Sequence, residues 1–156
     1  SFGHPVPVVD GKTQSAGAKA KAIVLRKEFT EERDLFSIDY TSAYSTPNLD
    51  KLIRTFVYDR QGEGNFTVSD EFTANVPIRF ETAITTQADW KVLDDTRLLL
   101  TSGTEQMIVN IEASGKVAFT SETIEVNASA YTRIGIALKE QAEKGYIWLK
   151  MQAKQL

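Results

Sequence analysis

The amino-acid sequence predicts an all-β protein, an antiparallel β-sandwich of about ten strands with little or no helix. Three observations support this fold class. Apolar and polar residues alternate with a period of two along most of the chain, which is typical of half-buried strands. Turns that contain glycine separate these runs at short intervals. Helical periodicity is nearly absent, and only Thr46–Lys51 and Glu140–Glu143 could form a short helical turn.

The predicted strands begin with a short apolar run at Pro5–Val9. In the next segment Ala18, Ala20 and Ala22 alternate with lysines and lead into Ile23–Leu25, which suggests a strand lying close to a neighbouring sheet. The remaining predicted strands share the alternation of apolar and polar residues or are short apolar runs: Phe36–Tyr40, Leu52–Tyr58, Phe66–Phe72, Val76–Ile84, Leu98–Leu100, Met107–Ile111, Val117–Phe119, Thr123–Val126, Arg133–Leu138 and Tyr146–Met151.

Turn residues stand between several of these strands. Asp10–Gly11 is typical of a tight turn, and Gln61–Asn65 contains two glycines, as expected for a hairpin loop. Ser102–Thr104 and Ser114–Lys116 have the same character. The turn chemistry therefore agrees with strands that follow one another in antiparallel order.

Length and composition limit the classes of protein that the chain can represent. Its 156 residues, 42% of them apolar, predict one domain that covers residues 1–156. The 18 basic and 21 acidic residues are interspersed, so no basic stripe indicates nucleic-acid binding. No apolar run approaches the roughly 20 residues that span a bilayer, so no membrane partner is expected. The absence of cysteine excludes disulfides and thiol chemistry.

The single histidine, His4, is the residue on which most functional interpretations depend. A zinc site needs three or four ligands, and the chain supplies no second histidine and no cysteine. Asp10 is the nearest carboxylate, but the Asp10–Gly11 pair is better explained by a turn. The residues therefore encode no complete metal site, and no catalytic residue can be assigned from them.

Aromatic residues are the remaining candidates for binding. Trp90 follows Asp89 in a segment without clear alternation and is assigned to a loop, where it could face solvent as readily as the core. Trp148 alternates with Tyr146 on a late strand, which favours a position in the core or on a sheet face. Trp90 and Tyr44 are the candidate sugar-binding residues.

Four segments resemble, in order and spacing, the heparinase II/III-like polysaccharide lyases. The first is His4–Gln14, in which a histidine precedes an apolar strand, an Asp-Gly turn and a glutamine. The second is Ile38–Tyr44, similar to an Asp-x-Thr-x-Ala-Tyr stretch of that family. The third is Leu52–Tyr58, the strand that carries an arginine, and the fourth is Val68–Phe72. Together they cover roughly residues 3 to 86.

The resemblance implies that the chain is the C-terminal β-sandwich region of a larger enzyme. In this family a helical toroid precedes the sandwich. The catalytic base and acid, usually a tyrosine and a histidine, and the asparagine that neutralises the uronate carboxylate come mainly from this toroid. The enzyme cleaves polysaccharides that contain uronic acid by β-elimination. The chain alone is then expected to be inactive, and the first strands of the sandwich would lie upstream. Such a sandwich would have open sheet edges that could support a homodimer.

The resemblance also implies a metal site and a location. Several members bind zinc in the sandwich, and His4 corresponds best to the last ligand of a site whose other ligands would lie upstream. The family commonly has Asn-Thr after this histidine, whereas this chain has Pro5–Val6. No cofactor is expected in this chain alone. The expected partners are an acidic polysaccharide and the helical domain, and the expected location is the periplasm or the cell exterior.

Two alternatives to the lyase interpretation are left open by the sequence. The chain could be a stand-alone carbohydrate-binding or scaffold module in which Trp90, Tyr44 and their neighbours face a sugar. It could also be a structural or adhesive β-sandwich unrelated to lyases. Binding of neutral glycans without any effect of uronates would favour the first of these.

Overall fold

The computed structural model describes residues 2–126 and 129–154, and these residues form twelve strands. The strands are β1 (Val8–Val9), β2 (Ile23–Phe29), β3 (Arg33–Asp39), β4 (Leu49–Asp59), β5 (Asn65–Ile78), β6 (Phe80–Thr86), β7 (Asp89–Asp94), β8 (Arg97–Ser102), β9 (Glu105–Ala113), β10 (Val117–Val126), β11 (Ser129–Leu138) and β12 (Ala142–Ala153). The helical element of the described chain is a 3-10 turn at Thr41–Ala43.

The strands form two antiparallel sheets. The large sheet has eight strands in the order β2-β3-β4-β5-β12-β9-β8-β7, and the small sheet has four in the order β1-β6-β11-β10. The chain passes from the large to the small sheet between β5 and β6, where Arg79 alone joins the two strands. It passes between the sheets again from β6 to β7, from β9 to β10 and from β11 to β12. The predicted antiparallel β-sandwich is confirmed.

The core lies between the two sheets. Phe72 of β5 and Phe80 of β6 stack across the interface with ring centroids 4.5 Å apart. Strands of both sheets contribute aliphatic side chains that are fully or almost fully buried, as the alternating pattern requires. These side chains are Val9, Leu52, Ile78, Leu98, Val109, Ile134, Ile136, Ile147 and Leu149.

Three predicted turns are confirmed by the backbone. Asp10 and Gly11 both have positive φ angles (48° and 74°), and Val9 and Lys12 exchange two backbone hydrogen bonds around them. Asp10 takes this left-handed conformation because aspartate tolerates it better than most residues. Gly62 and Gly64 have positive φ angles in the β4–β5 loop, and Gly103 has one in the β8–β9 hairpin.

Several predicted boundaries are wrong. The alanine-lysine segment at residues 18–22 is outside the strands, and β2 begins only at Ile23. The strands predicted at Phe66–Phe72 and Val76–Ile84 correspond to β5 and β6, but the boundary between them is at Arg79. The two strands predicted between residues 117 and 126 form the single strand β10. Trp90 lies on β7, not in a loop, because its segment pairs with β8. The helical turns predicted at residues 46–51 and 140–143 are absent, and the 3-10 turn precedes the first of them.

Candidate functional site

His4 lies in a segment that crosses the end of the small sheet before β1. Its side chain is exposed, beside a small cleft formed with Tyr131 and the end of β6 at residues 85–87. The described residues contain no group of three or more histidine, cysteine, aspartate or glutamate side chains that could hold a metal ion. The role of His4 as the last ligand of a zinc site with upstream partners stays a prediction.

The segment around His4 is attached to the sandwich through its carbonyl oxygens. Tyr131 donates its hydroxyl to the Gly3 carbonyl (2.7 Å), and Tyr44 donates its hydroxyl to the Pro7 carbonyl (2.8 Å). Pro5 and Pro7 have no N–H group, so the segment leaves few donors to satisfy. Residues 3–7 are referred to below as the leading segment.

Two arginines complete this attachment. Arg54 donates through Nη1 to the Pro5 carbonyl at 2.6 Å, and Arg133 donates through Nη2 to the Val6 carbonyl at 3.5 Å. Arg133 also donates to the Glu81 carboxylate at 2.7 Å, and its guanidinium carbon lies 4.4 Å from the centroid of the Phe2 ring. Side chains of both sheets therefore hold the leading segment in an irregular conformation that backbone pairing alone would not support.

Arg54 also belongs to a buried polar cluster centred on Asp70, which is only 1% exposed. The Arg54 guanidinium donates to both carboxylate oxygens of Asp70, through Nε and Nη2, each at 2.7 Å. Thr82 donates to Oδ2 at 2.6 Å and Tyr40 donates to Oδ1 at 2.8 Å. A buried ion pair is tolerated when hydrogen bonds satisfy both partners, and here the carboxylate accepts four. We call Tyr40, Arg54, Asp70 and Thr82 the Asp70 cluster.

The cluster joins the parts of the fold that the sequence separates. Arg54 lies on β4 and Asp70 on β5 of the large sheet, where they are direct cross-strand partners. Thr82 lies on β6 of the small sheet, and Tyr40 follows β3. All four segments that carry the family resemblance meet at the Asp70 cluster. Three of them contain Tyr40, Arg54 and Asp70, and the fourth overlaps the leading segment, which Arg54 and Tyr44 bind.

The buried tyrosines are not suited to accept a proton near neutral pH. Burial, followed by the negative charge of Asp70, raises the pKa of Tyr40 well above its usual value. The same two causes raise the pKa of Tyr44. Burial alone would lower the pKa of Arg54, but the charge of Asp70 and its hydrogen bonds raise it. The cluster therefore holds a fixed cation and a fixed network of hydrogen bonds.

The two candidate sugar-binding residues occupy covered positions. Tyr44 is 6% exposed, its ring lies edge-on to Tyr40 with centroids 5.8 Å apart, and its hydroxyl is used by Pro7. Trp90 is half-buried and packs against the hydrophobic core. Tyr44 therefore offers a sugar no open surface, and Trp90 is partly covered by the core. Contact of these residues with substrate stays a prediction.

The large sheet presents a different set of aromatic residues on its outer face. Tyr146 and Trp148 of β12 point away from the core, because Ile147 and Leu149 between and beyond them are buried. Trp148 is 37% exposed, and the two ring centroids lie 5.2 Å apart. The sequence contained the signal for this surface, since Tyr146 and Trp148 alternate with Ile147 and Leu149. The sequence analysis left the core and a sheet face open for Trp148, and the structure places it on the sheet face.

Solved structures with a similar fold include a heparan sulfate lyase and heparinase III. The heparan sulfate lyase HepC from Pedobacter heparinus matches with a TM-score of 0.73 and 13% identity, over 98% of this chain and 24% of the lyase. A crystal structure of heparinase III matches with a TM-score of 0.72 and 16% identity, over 95% of this chain and 23% of its own. A heparinase III gene product with methylated lysines matches with a TM-score of 0.72 and 11% identity.

These similarities show that the chain has a heparinase III-like fold. The predicted resemblance is thus confirmed at the level of structure. The chain spans about a quarter of the length of the first of these lyases. No family model matches the chain, and no curated protein matches its sequence significantly.

Proposed function

We propose that the chain is the β-sandwich of a polysaccharide lyase that cleaves polysaccharides containing uronic acid by β-elimination. The observation that carries the proposal is the match over 98% of the chain to the sandwich-containing part of a heparan sulfate lyase. In this proposal the sandwich supports a helical catalytic region and supplies neither the catalytic base nor the acid.

The chemistry of β-elimination supports this division of roles. A base removes the proton at C5 of the uronate, the bond between C4 and the glycosidic oxygen breaks, and a double bond forms between C4 and C5. The uronate carboxylate must be neutralised so that the C5 proton becomes acidic. Tyr40 and Tyr44 are buried, hydrogen-bonded and have raised pKa values, so they are poor candidates for this base. The Asp70 cluster is better explained as a support for the leading segment.

The proposal is tested by an elimination assay on the complete encoded protein and on residues 1–156 alone. The product carries a double bond conjugated to its carboxylate, which absorbs ultraviolet light. We expect the complete protein to produce this absorbance from heparan sulfate, alginate or another uronate polymer, and the chain alone to produce none. Activity of the chain alone would refute the division of roles. Lack of activity of the complete protein on every uronate polymer would refute the lyase assignment.

The proposed zinc site is tested separately. If His4 is the last ligand, the complete protein binds zinc after treatment with a chelator and reloading, and His4→Ala weakens that binding. The matched control is Gln87→Ala, which alters the same cleft without removing a histidine. The chain alone supplies one histidine and should bind zinc weakly or not at all. Stoichiometric zinc in the chain alone would overturn the role assigned to His4.

Self-association through a sheet edge is a further part of the proposal. Strand β2 lies at one edge of the large sheet and exposes Ile23, Val24, Leu25 and Phe29. An exposed apolar edge strand is a template for pairing with another chain. Sedimentation should detect a dimer that Val24→Lys weakens, whereas a monomer at all concentrations would count against it.

The proposed location, the periplasm or the cell exterior, would be tested by fractionating cells. Within the described residues, no helix combines the length and apolar character of a membrane span.

A stand-alone carbohydrate-binding or scaffold module is the second candidate, and the exposed Trp148 is the observation that favours it. This alternative requires glycan binding without cleavage by the complete protein. Translating the coding sequence around these 156 residues distinguishes the two candidates. A helical region of several hundred residues upstream would favour the lyase, and a start codon or signal peptide immediately before Ser1 would favour the module.

A further inference from the structure

A continuous strip of side chains runs along β12 on the outer face of the large sheet. Its members are every second residue of the strand, Lys144, Tyr146, Trp148 and Lys150. They share a face because side chains of a strand alternate between its two sides. The last lysine follows the first by six positions, so the strip is about 20 Å long. We call these four residues the β12 strip.

At the centre of the strip Trp148 is open to solvent, and Tyr146 beside it is half-buried. Trp148 has Ser69 of β5 and Glu112 of β9 as its cross-strand partners, so no apolar side chain stands directly opposite it. The Tyr146 hydroxyl donates to Glu112 Oε1 at 3.4 Å. Next to Tyr146 a groove of about 500 Å³ is bounded by Lys51 and Lys144. Large aromatic rings usually bury most of their apolar surface, so the exposed Trp148 beside the half-buried Tyr146 on the outer sheet face indicates a binding surface.

Positive charges stand at both ends of the strip. Lys144 and Lys150 are exposed, and the exposed Lys51 lies across Thr73 from Lys144, because both lysines are cross-strand partners of Thr73. In the part of the chain that the structure describes, the ion pairs are formed by arginines, and none of these three lysines takes part in one. Glu71 and Glu112 lie on the same face and can accept hydrogen bonds from hydroxyl groups.

We propose that the β12 strip binds a linear acidic polysaccharide. The rings of Tyr146 and Trp148 stack against the apolar faces of successive sugars, and the lysines at the ends contact their carboxylate or sulfate groups. The proposal rests on the proposed function for the choice of uronate polymers as the glycan. It assigns the strip a role in holding the polymer, apart from the bond that is cleaved.

A second copy of this chain fits the strip poorly. A two-fold interface would place Lys144 and Lys150 opposite the same lysines of the other copy or their neighbours. A surface one strand wide and about 20 Å long is also small compared with the roughly 800 Å² that each partner contributes to a stable interface. The lysines at the two ends favour an acidic linear polymer, whose acidic groups would meet the lysines and whose hydroxyl groups would meet Glu71 and Glu112.

The test measures the affinity of the complete protein for heparan sulfate and alginate before and after Trp148→Ala. We expect at least about a tenfold loss, as for a central aromatic residue of an interface. Tyr58→Ala is the matched control, because Tyr58 is an exposed aromatic residue on the opposite face of the same sheet. It should change affinity less than twofold. Trp148→Phe, which keeps an aromatic ring, should retain most of the affinity and guards against misfolding of the alanine variant.

The charge of the ligand is tested with the lysines. The double variant K144Q/K150Q should weaken binding and make it less sensitive to salt, because fewer screened charge contacts remain. The control K19Q/K27Q changes the net charge equally at two exposed lysines away from the strip and should leave the salt dependence unchanged. Equal effects of the two double variants would overturn the contact of the strip with acidic groups. Equally strong binding of dextran, a neutral glucan, would overturn the choice of an acidic glycan.

The outcomes separate this inference from the proposed function. If the complete protein cleaves uronate polymers and Trp148→Ala binds them as well as the parent protein does, the inference fails and the lyase assignment stands. If the complete protein cleaves none of them but Trp148→Ala lowers its affinity for them, the lyase assignment fails and the inference stands. Shielding from a soluble quencher of the fluorescence that Trp148→Phe removes, measured in the complete protein without glycan, would show that another part of the protein covers the strip and would overturn the inference.

Discussion

The Asp70 cluster and the β12 strip use similar side chains for different purposes. Both combine a tyrosine with cationic side chains, and carboxylates lie within the cluster and on the strands beside the strip. In the cluster, the Asp70 carboxylate accepts four hydrogen bonds in the interior and is paired with Arg54. In the strip, Lys144 and Lys150 are exposed, and Trp148 is open to solvent. In these two regions the groups that face the small sheet are buried and paired, whereas the lysines and Trp148 on the outer face are exposed.

The largest effect is expected when the buried pair is broken. Asp70→Ala leaves the Arg54 charge buried without its partner and should lower the free energy of unfolding by about 3–5 kcal/mol. Equilibrium unfolding in urea measures this loss. The matched control is Asp94→Ala, which removes an exposed pair with Arg97 of the same 2.7 Å length and should cost far less. Similar losses for the two variants would show that burial does not distinguish the cluster.

The double variant R54M/D70L sharpens the same test. It removes both charges together and should be less destabilised than Asp70→Ala, because no unpaired charge remains in the interior. If the double variant is the less stable of the two, the hydrogen bonds of Arg54 to Pro5 and Thr82 contribute more than the ion pair does.

A smaller effect is expected from the periphery of the cluster. Tyr40→Phe removes the hydroxyl that donates to Asp70 and should cost about 1.5–3 kcal/mol, the usual range for a hydrogen bond to a charged group. Tyr58→Phe is the control, because the exposed Tyr58 ring contacts Arg60 through its face and keeps that contact. A loss below that of the control would mean that solvent replaces the Tyr40 hydroxyl.

The free energy of unfolding should decrease at alkaline pH because of the cluster. Burial and the charge of Asp70 raise the pKa of Tyr40 in the folded chain above the ordinary value of 10.0, so the unfolded chain loses this proton first. The contribution is therefore complete below pH 10 and is lost as the pH rises toward the folded-state pKa. Urea unfolding measured on both sides of pH 10 should show this decrease, and Tyr40→Phe should make it shallower. An unchanged decrease in that variant would assign the effect to other groups.

The smallest effect on stability is expected on the strip. Lys150→Gln should change the free energy of unfolding by less than about 0.5 kcal/mol, because the side chain is exposed and forms no ion pair among the described residues. The same variant, combined with Lys144→Gln, is expected to affect glycan binding. A large loss of stability would show that the strip is part of the packing of the sheet, and the contrast between the two regions would disappear.

The fold could be predicted from the sequence to a large extent. The alternation of residues predicted most strands and the glycine positions predicted three turns. Trp90, beside Asp89 in the segment that forms β7, was assigned to a loop because that segment shows no clear alternation. Pairing with β8 makes it a strand, and that pairing is a long-range property of the sheet.

The functional regions could be predicted only in part. The four segments that resemble the lyases were recognised, yet their convergence on Asp70 was not. Tyr44 was considered for sugar contact, but the structure places its hydroxyl on the Pro7 carbonyl. Trp148 was assigned to the core or a sheet face, and the structure places it on the outer face.

The sequence by itself determined the strand-rich fold, its turns and the side chains that share a face, because a period of two is a local property of an extended chain. The tertiary structure alone decided which face meets the core and which strands become neighbours. Tyr40, Arg54, Asp70 and Thr82 come together only because β5 and β6 enter different sheets on either side of Arg79. The outward position of Trp148 follows from the same packing, since only the opposite side of β12 faces the small sheet.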